Sequence, residues 1–306
     1  MNHRITNIIA AMLCAVSLAP AQLHVVAVEK LPVESFHQWS QPRFSPDGKS
    51  IYYTTSDFNG IWEYSIATKL SRNITTDPRS GFAFAISEDG SKLVYRRTVH
   101  EAGVSDRIQE IAMVDLHGAD FSVLASGRDL SAPVFIRNEV SYAIDAKTAH
   151  VSAQATSAGL AILGIENTKI AISQSGRKSL FDPFGNGSYV WPSLSPDGLR
   201  ILGYEMTKGA FTCTPDGQDI ILLGRRDAPC WSRDGKWVIF MDDKDDGQKL
   251  LSSRIMAISS DGKQLVTLTN EASIALYPSC SPIENKVVYC TADGALYTLS
   301  YTEVSR

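Results

Sequence analysis

Ser45-Pro46-Asp47-Gly48 recurs in related form as Ser87-Glu88-Asp89-Gly90, Ser195-Pro196-Asp197-Gly198 and Ser232-Arg233-Asp234-Gly235. Each copy precedes an alternating apolar run. The composition is that of a tight turn, because Pro presets φ, Asp hydrogen-bonds the local backbone and Gly accepts the exit conformation. We therefore interpret the tetrapeptide as the tip of a β-hairpin and its Asp residues as turn formers rather than catalytic groups.

A second column lies five residues before the turn Asp. It reads Pro42, Phe84, Pro133, Pro192, Pro229 and Pro278. Proline lacks an N–H group and is tolerated at the first residue of a strand or on an edge strand, so we place the column at the start of an innermost strand. The column also identifies two units that have lost the turn motif, at 135–139 and 280–284. Six units are therefore predicted.

The strand pattern within each unit sets the fold class. The fourth residue after the turn Asp is always apolar, as Ile51, Leu93, Tyr142, Ile201, Val238 and Val287. A period of about 40 to 50 residues with several short strands per unit is typical of a β-propeller. The sequence predicts an all-β fold, a six-bladed β-propeller of four-stranded antiparallel blades.

The last unit leaves no room for a clear fourth strand before Arg306. The segment Leu23–Val28 resembles the fourth strands of the other units and precedes the first blade. We predict that this N-terminal strand pairs with the last blade and closes the ring, which removes exposed sheet edges.

Residues 1–21 have the pattern of a signal peptide. Arg4 is followed by an apolar stretch, and Ala19-Pro20-Ala21 supplies a small-x-small cleavage site. Lipidation of Cys14 is a less favoured alternative, because Leu13 stands where a small residue is expected. We expect residues 22–306 to form one propeller domain, monomeric and periplasmic or secreted. The mean hydropathy of -0.07 predicts no transmembrane segment in the mature chain.

Charge and metal-ligating residues restrict the function further. The formal net charge is -4, and no basic stripe is visible, which disfavours nucleic acid as a partner. No histidine lies beyond His150, which disfavours a histidine-built metal centre around a channel. The run Asp242–Gly247 is predicted to be a solvated loop, with calcium as the alternative, although Lys244 stands where a calcium loop needs an acid. No cofactor is predicted.

The cysteines leave the disulfide state open. Four follow the signal segment: Cys213, Cys230, Cys280 and Cys290. They permit three pairings in an oxidising compartment, but none has metal-ligand spacing. One disulfide and none are both compatible with the sequence.

The channel mouth, just before each innermost strand, is the candidate site. Positions eight and six residues before the turn Asp carry unlike, mostly aromatic side chains, which are Trp39, Tyr189 and Arg226, then Gln41, Trp191 and Tyr277. Aromatic groups with an Arg suit recognition of a ligand or partner. The alternative is that these six side chains plug the channel and pack between blades.

The stretch from Pro42 to Tyr53 matches the repeat P-x-[FW]-S-P-D-G-[KR]-x-[IL]-x-[FY], and residues 42 to about 299 resemble the TolB-like propellers. This resemblance implies a six-bladed propeller. The family includes periplasmic interaction proteins, the substrate-gating propellers of prolyl oligopeptidase-like enzymes and metal-dependent polysaccharide lyases. No G-x-S-x-G elbow or phosphate loop occurs. We expect an exported, non-catalytic propeller that binds a protein or cell-envelope component, or alternatively an enzyme acting on a glycan or peptide at the channel mouth.

Overall fold

The computed structural model describes residues 22–99, 107–118, 120–136, 138–144, 147–149 and 159–304. The predicted signal segment 1–21 lies outside these residues. Within the described residues the regular secondary structure consists of antiparallel strands and one short 3-10 turn at Ser80–Phe82. None of the helical structure in this part is long and apolar enough to cross a membrane.

The strands are, in chain order, β1 (Gln22–Lys30), β2 (Trp39–Phe44), β3 (Ser50–Thr55), β4 (Ile61–Ser65), β5 (Ser71–Thr75), β6 (Phe84–Ile86), β7 (Lys92–Val99), β8 (Ile108–Asp115), β9 (Phe121–Gly127), β10 (Val134–Ile136), β11 (Glu139–Ile144), β12 (Lys147–Ala149), β13 (Leu160–Glu166), β14 (Lys169–Gln174), β15 (Arg177–Phe181), β16 (Tyr189–Leu194), β17 (Ile201–Glu205), β18 (Gly209–Cys213), β19 (Ile221–Gly224), β20 (Asp227–Trp231), β21 (Trp237–Asp245), β22 (Leu250–Ser259), β23 (Leu265–Thr267), β24 (Ala275–Cys280), β25 (Lys286–Thr291) and β26 (Leu296–Val304).

Five sheets have four strands, in the orders β2-β3-β4-β5, β6-β7-β8-β9, β16-β17-β18-β19, β20-β21-β22-β23 and β1-β26-β25-β24. The innermost strands of the sheets lie around a common axis. In the last sheet this strand is β24, which packs against β2 and completes the ring. The all-β propeller with six aligned blade units is confirmed, since the innermost strand of a sheet contains or directly follows each position of the proline column.

The third unit differs from the others. It spans 133–191, longer than any other, and its described residues form two three-stranded sheets, β10-β11-β12 and β13-β14-β15. Strand β13 contacts both β10 and β16, so its sheet lies between the neighbouring aligned blades. The alignment of six units did not predict this additional sheet, because it has neither the turn motif nor the proline.

The S-P-D-G turns have the structure predicted for them. Ser45 Oγ donates to Asp47 Oδ1 at 2.6 Å, and the same carboxylate accepts from the backbone N–H of Lys49 at 3.0 Å. Gly48 has φ 70°, a left-handed conformation that glycine adopts without steric cost. These bonds hold the pKa of Asp47 below its usual value, although burial acts in the opposite direction. The turn Asp is therefore an organiser of the hairpin.

The proline column lies inside the innermost strand in four units, which corrects its predicted place at the strand start. Pro42 is the fourth residue of β2, and the pairing of β2 with β3 shifts between Ser40 and Arg43. Equivalent shifts surround Pro192, Pro229 and Pro278. A β-bulge leaves one residue unpaired, and this tolerates the missing N–H of proline.

Ring closure by the N-terminal strand is confirmed. Strand β1 pairs antiparallel with β26, with Leu23 opposite Glu303 and Val28 opposite Leu299. Leu23 is only 3% exposed and packs into the core of the last blade with Leu299 and Tyr301. The start and the end of the described chain therefore complete one sheet.

Candidate binding site at the channel mouth

Three of the six predicted site residues line one cavity of about 170 Å³. They are Gln41, Trp191 and Tyr277, and Ala228 occupies the same alignment position in the blade between the last two. The rest of the wall consists of Pro42, Arg43, Pro229, Pro278 and Ser279. The structure thus brings the second predicted column together at the start of four inner strands. Its binding role stays a prediction.

The backbone explains why this column faces the cavity. Gln41, Trp191, Ala228 and Tyr277 have φ values of 51°, 51°, 47° and 52°. Left-handed φ is uncommon for residues other than glycine, and at each of these positions it occurs within the β-bulge that contains the following proline. A bulge re-aims the side chain of the extra residue. Four blades therefore direct the residue before the proline toward the same space.

The three residues of the first predicted column, Trp39, Tyr189 and Arg226, do not line this cavity. Trp39 is 3% exposed, donates from Nε1 to the Glu34 carbonyl at 2.6 Å and packs edge-on against Tyr53. Tyr189 is 1% exposed and donates its hydroxyl to Asp182 Oδ1 at 2.5 Å. Both aromatic residues pack between blades, as the alternative interpretation predicted, and neither lines the cavity.

Arg226 also lies outside the cavity wall. Its guanidinium sits 4.8 Å from the centroid of the Phe240 ring, and Nη1 donates to the Arg225 carbonyl at 2.7 Å. A cation held over an aromatic face in this way is stabilised by the ring quadrupole. The position of Arg226 is explained by local packing.

Trp191 is the most exposed aromatic group of the cavity. It is 42% exposed, and its ring meets the ring of Tyr204 at 5.5 Å between centroids. Tyr204 lies on β17, the strand that pairs with β16. The sequence columns missed Tyr204 because its contact with Trp191 depends on the bulge in β16.

Two carboxyl groups that the columns also missed act electrostatically on tyrosines at the channel mouth. The side chains of Asp227 and Asp243 share the cation of Arg225 and are 13% and 12% exposed. Burial raises the pKa of Asp243 to about 6, and the hydrogen bond and charge of Asp227 add to the effect. Burial is the largest cause of the raised pKa of Tyr204, and Asp227 adds to it. Burial is also the largest cause of the raised pKa of Tyr277, and the charge of Asp243 adds to it. The acidic pair therefore interacts electrostatically with Tyr277 on the cavity wall and with Tyr204, which packs against Trp191.

Arg225 partly neutralises this acidic pair. Its Nε lies 3.1 Å from Asp227 Oδ2, and its Nη2 lies 3.6 Å from Asp243 Oδ2 and from Asp245 Oδ2. The Arg225 side chain is 63% exposed, which leaves it accessible to solvent and to screening by salt. One exposed cation thus faces three carboxyl groups.

The acidic run Asp242–Gly247 is mostly strand, which corrects the predicted loop. Asp242 to Asp245 end β21, and Asp242 pairs with Arg254 at 3.1 Å. Asp246 and Gly247 form the exposed turn. The described residues contain no group of three or more His, Cys, Asp or Glu side chains that could hold a metal ion. The signal that could have located Asp243 is the alternation of β21 continuing into the acidic run.

A larger cavity of about 420 Å³ lies between the two three-stranded sheets of the third unit. Its charged wall residues have structural partners among those described. Arg96 donates to the Leu130 carbonyl, and Lys178 forms an ion pair with Glu166. The channel-mouth cavity, whose wall contains the exposed Trp191 and the partly buried Tyr277, is therefore the candidate site.

Solved structures resemble the fold. TolB from Acinetobacter baumannii matches with a TM-score of 0.55 and 18% identity, over 81% of this chain and 58% of that chain. The putative TolB from Agrobacterium tumefaciens gives 0.52 and 15% identity, over 94% and 100%. The β-propeller domain of Cps50 (Swd1) from Myceliophteria thermophila gives 0.62 and 10%, over 90% and 100%.

These identities show the fold alone: the chain has a β-propeller fold similar to that of the TolB structures. It spans 58% of the length of the Acinetobacter TolB. Neither a protein-family model nor a curated protein sequence matches the chain.

Proposed function

We propose that this protein is an exported, non-catalytic propeller that binds a protein partner or another cell-envelope component through the channel mouth. The observation that supports it most is the state of Trp191, 42% exposed on a bulged inner strand and packed against Tyr204. Rigid, partly exposed Trp and Tyr side chains provide much of the binding energy at protein interfaces.

The location is part of the same proposal. Export to the periplasm or outside the cell rests on the signal pattern in residues 1–21. The resemblance to the TolB-like propellers, which include periplasmic interaction proteins, supports it. We expect a monomer that presents this cavity to a single partner molecule.

The chemistry of the cavity favours a partner that inserts a basic side chain. Trp191 and Tyr277 offer aromatic faces, which attract cations. The carboxyl groups of Asp227 and Asp243 act electrostatically on Tyr204, which packs against Trp191, and on Tyr277. The positive charge of Arg43 is directed elsewhere, since its guanidinium lies 4.0 Å from the Phe84 ring centroid and donates to the Phe84 carbonyl. A volume of about 170 Å³ suits one side chain better than a folded loop.

Site-specific crosslinking tests the binding function. A photoreactive residue at position 41 should yield a discrete crosslinked partner in cell-envelope extract, and Trp191→Ala in the same protein should reduce the yield at least about tenfold. Phe121, which is 50% exposed on the outermost strand β9, provides a matched position for the control probe. Equal crosslinking from positions 41 and 121, or no effect of Trp191→Ala, would contradict the proposed surface.

An enzyme acting on a glycan or peptide is the second candidate, and the acidic pair favours it. A carboxyl group whose pKa is raised toward neutral pH, with a second carboxyl group nearby, is suited to general acid–base catalysis. The pKa of Asp243 is raised to about 6, and Trp191 offers a platform on which a sugar ring can stack.

Substitution of the pair separates the two functions. Asp243→Asn keeps the shape of the side chain but removes the titrating proton, so turnover of any glycan or peptide substrate should fall at least about a hundredfold. Binding of a partner through Trp191 should weaken by no more than about tenfold, because Asp227 and the aromatic contacts remain. Turnover that persists in Asp243→Asn and in Asp227→Asn would eliminate this acid–base site.

A further inference from the structure

The thiol groups of Cys230 and Cys280 meet although 50 residues separate them in the chain, with their Sγ atoms 3.1 Å apart. Cys230 is on β20 and Cys280 on β24, the innermost strands of neighbouring blades. A disulfide bond is about 2.0 Å long, so a relative movement of about 1 Å would bring the sulfur atoms to bonding distance.

The other two described cysteines have different surroundings. Cys213 and Cys290 are 0% and 1% exposed, and the Cys290 Sγ lies 3.6 Å from the Leu276 carbonyl oxygen. Cys230 and Cys280 are only partly buried, at the edge of the core of the last blades. The geometry therefore favours a single disulfide, between Cys230 and Cys280.

We propose that Cys230 and Cys280 form a disulfide bond that joins the inner strands of two blades when the protein meets a disulfide donor, such as oxidised glutathione or a thiol–disulfide oxidoreductase. One cysteine thiolate attacks the donor disulfide, forms a mixed disulfide and releases one donor thiol. The second cysteine then attacks the mixed disulfide and releases the other donor thiol. The two cysteines lose two electrons and two protons, and the donor disulfide is reduced to two thiols.

The surroundings of Cys280 affect the rate of this reaction. Burial raises the pKa of its thiol, and the neighbouring Cys230 adds to the effect. Since the thiolate is the reacting form, the bond should form faster as the pH rises from neutral to about 9.

The crosslink would fix part of the channel mouth. Ala228 lies two residues before Cys230, and Tyr277 lies three residues before Cys280. Both line the cavity. A covalent bond between β20 and β24 therefore holds two of its walls at a constant separation, independently of what the cavity binds.

Peptide mapping of the wild-type protein tests the proposal without any substitution. After incubation with oxidised glutathione, unfolding and alkylation, we expect a peptide pair linked through Cys230 and Cys280, with Cys213 and Cys290 alkylated. Alkylation of both Cys230 and Cys280, a separate glutathione on each, or a link to Cys213 or Cys290 would overturn it.

Thermal unfolding provides the second test. A bond that closes a loop of this length stabilises the folded state, so reduction with dithiothreitol should lower the Tm of the oxidised wild type by about 5 °C or more. In Cys230→Ser and Cys280→Ser, dithiothreitol should not change the Tm. Cys290→Ala should have a lower Tm than wild type but show the same decrease on reduction. A wild-type Tm that is the same in oxidised and reduced protein would contradict the crosslink.

Discussion

The indole of Trp191 meets the phenol ring of Tyr204 edge-on, with centroids 5.5 Å apart and ring planes at 79°. An aromatic pair of this geometry is worth about 0.5–1.5 kcal/mol beyond the area it buries. The contact restrains the indole while 42% of Trp191 stays exposed. A restrained aromatic group loses little conformational entropy on binding, which suits an anchor for a partner.

Trp191→Ala should weaken partner binding at least about tenfold and lower the free energy of unfolding by less than about 1.5 kcal/mol, because much of the side chain is already exposed. Trp39→Ala is the matched control. Trp39 is 3% exposed, so its removal should cost about 3–5 kcal/mol in urea unfolding. A large loss of stability in Trp191→Ala would mean that its role is structural.

The raised pKa of Asp243, about 6, predicts a pH-dependent contribution to stability. In the unfolded chain an Asp carboxyl titrates near about 3.9, so between about pH 4 and 6 the folded protein holds more protons at this group. The contribution of Asp243 to the free energy of unfolding therefore falls as the pH rises through this window.

Asp243→Asn should remove that contribution. The free energy of unfolding of the variant minus that of wild type should increase by about 1–2 kcal/mol between about pH 4 and 6 and stay level above about pH 7. This range allows for solvent screening near the exposed Arg225. Asp246→Asn is the control, since Asp246 lies in an exposed turn and its pKa is lowered by hydrogen bonds from the backbone of Lys249 and Gln248. A flat difference for Asp243→Asn from pH 4 to 6 would refute the shift.

Leu23 tests ring closure. Its side chain is 3% exposed in the core of the last blade, so Leu23→Ala should cost about 2–4 kcal/mol of unfolding free energy. Val26→Ala on the same strand should cost less than about 0.5 kcal/mol, because Val26 is 59% exposed. Chemical denaturation of both variants measures the difference, and equal stabilities would show that β1 is not part of the core.

Gly294 tests the contact between the last blade and the first. It has φ 85°, and an added Cβ would lie 2.5 Å from the Gln38 Cα and 2.7 Å from the Trp39 N. Both are backbone atoms just before or at the start of β2, so Gly294→Ala should cost about 3 kcal/mol or more. Gly198 has φ 73° but its nearest heavy atom would be 3.9 Å away, so Gly198→Ala should cost only about 1–2 kcal/mol. Similar Tm values for the two variants would contradict a tight contact there.

Local sequence was sufficient for the repeating part of the fold. The turn motif at Ser45–Gly48 specifies its own hydrogen bonds, and the apolar column downstream is fully buried at Ile51, Leu93, Ile201, Val238 and Val287. Both features involve residues a few positions apart, whose geometry is set by the turn and by the two-residue period of a strand. The additional sheet β13-β14-β15 was missed because it has neither the turn motif nor the proline by which the other units were aligned.

The sequence by itself determined the blade units, the antiparallel strands and the closing strand β1, and it brought Gln41, Trp191 and Tyr277 into one column. Only the tertiary structure decided which column faces the cavity, since the bulge before each proline turns one residue out of the strand alternation. It also decided the contacts of Asp227 with Asp243 and of Cys230 with Cys280. Such contacts join residues on different strands and blades, and their distances follow from sheet pairing and blade packing rather than from spacing along the chain.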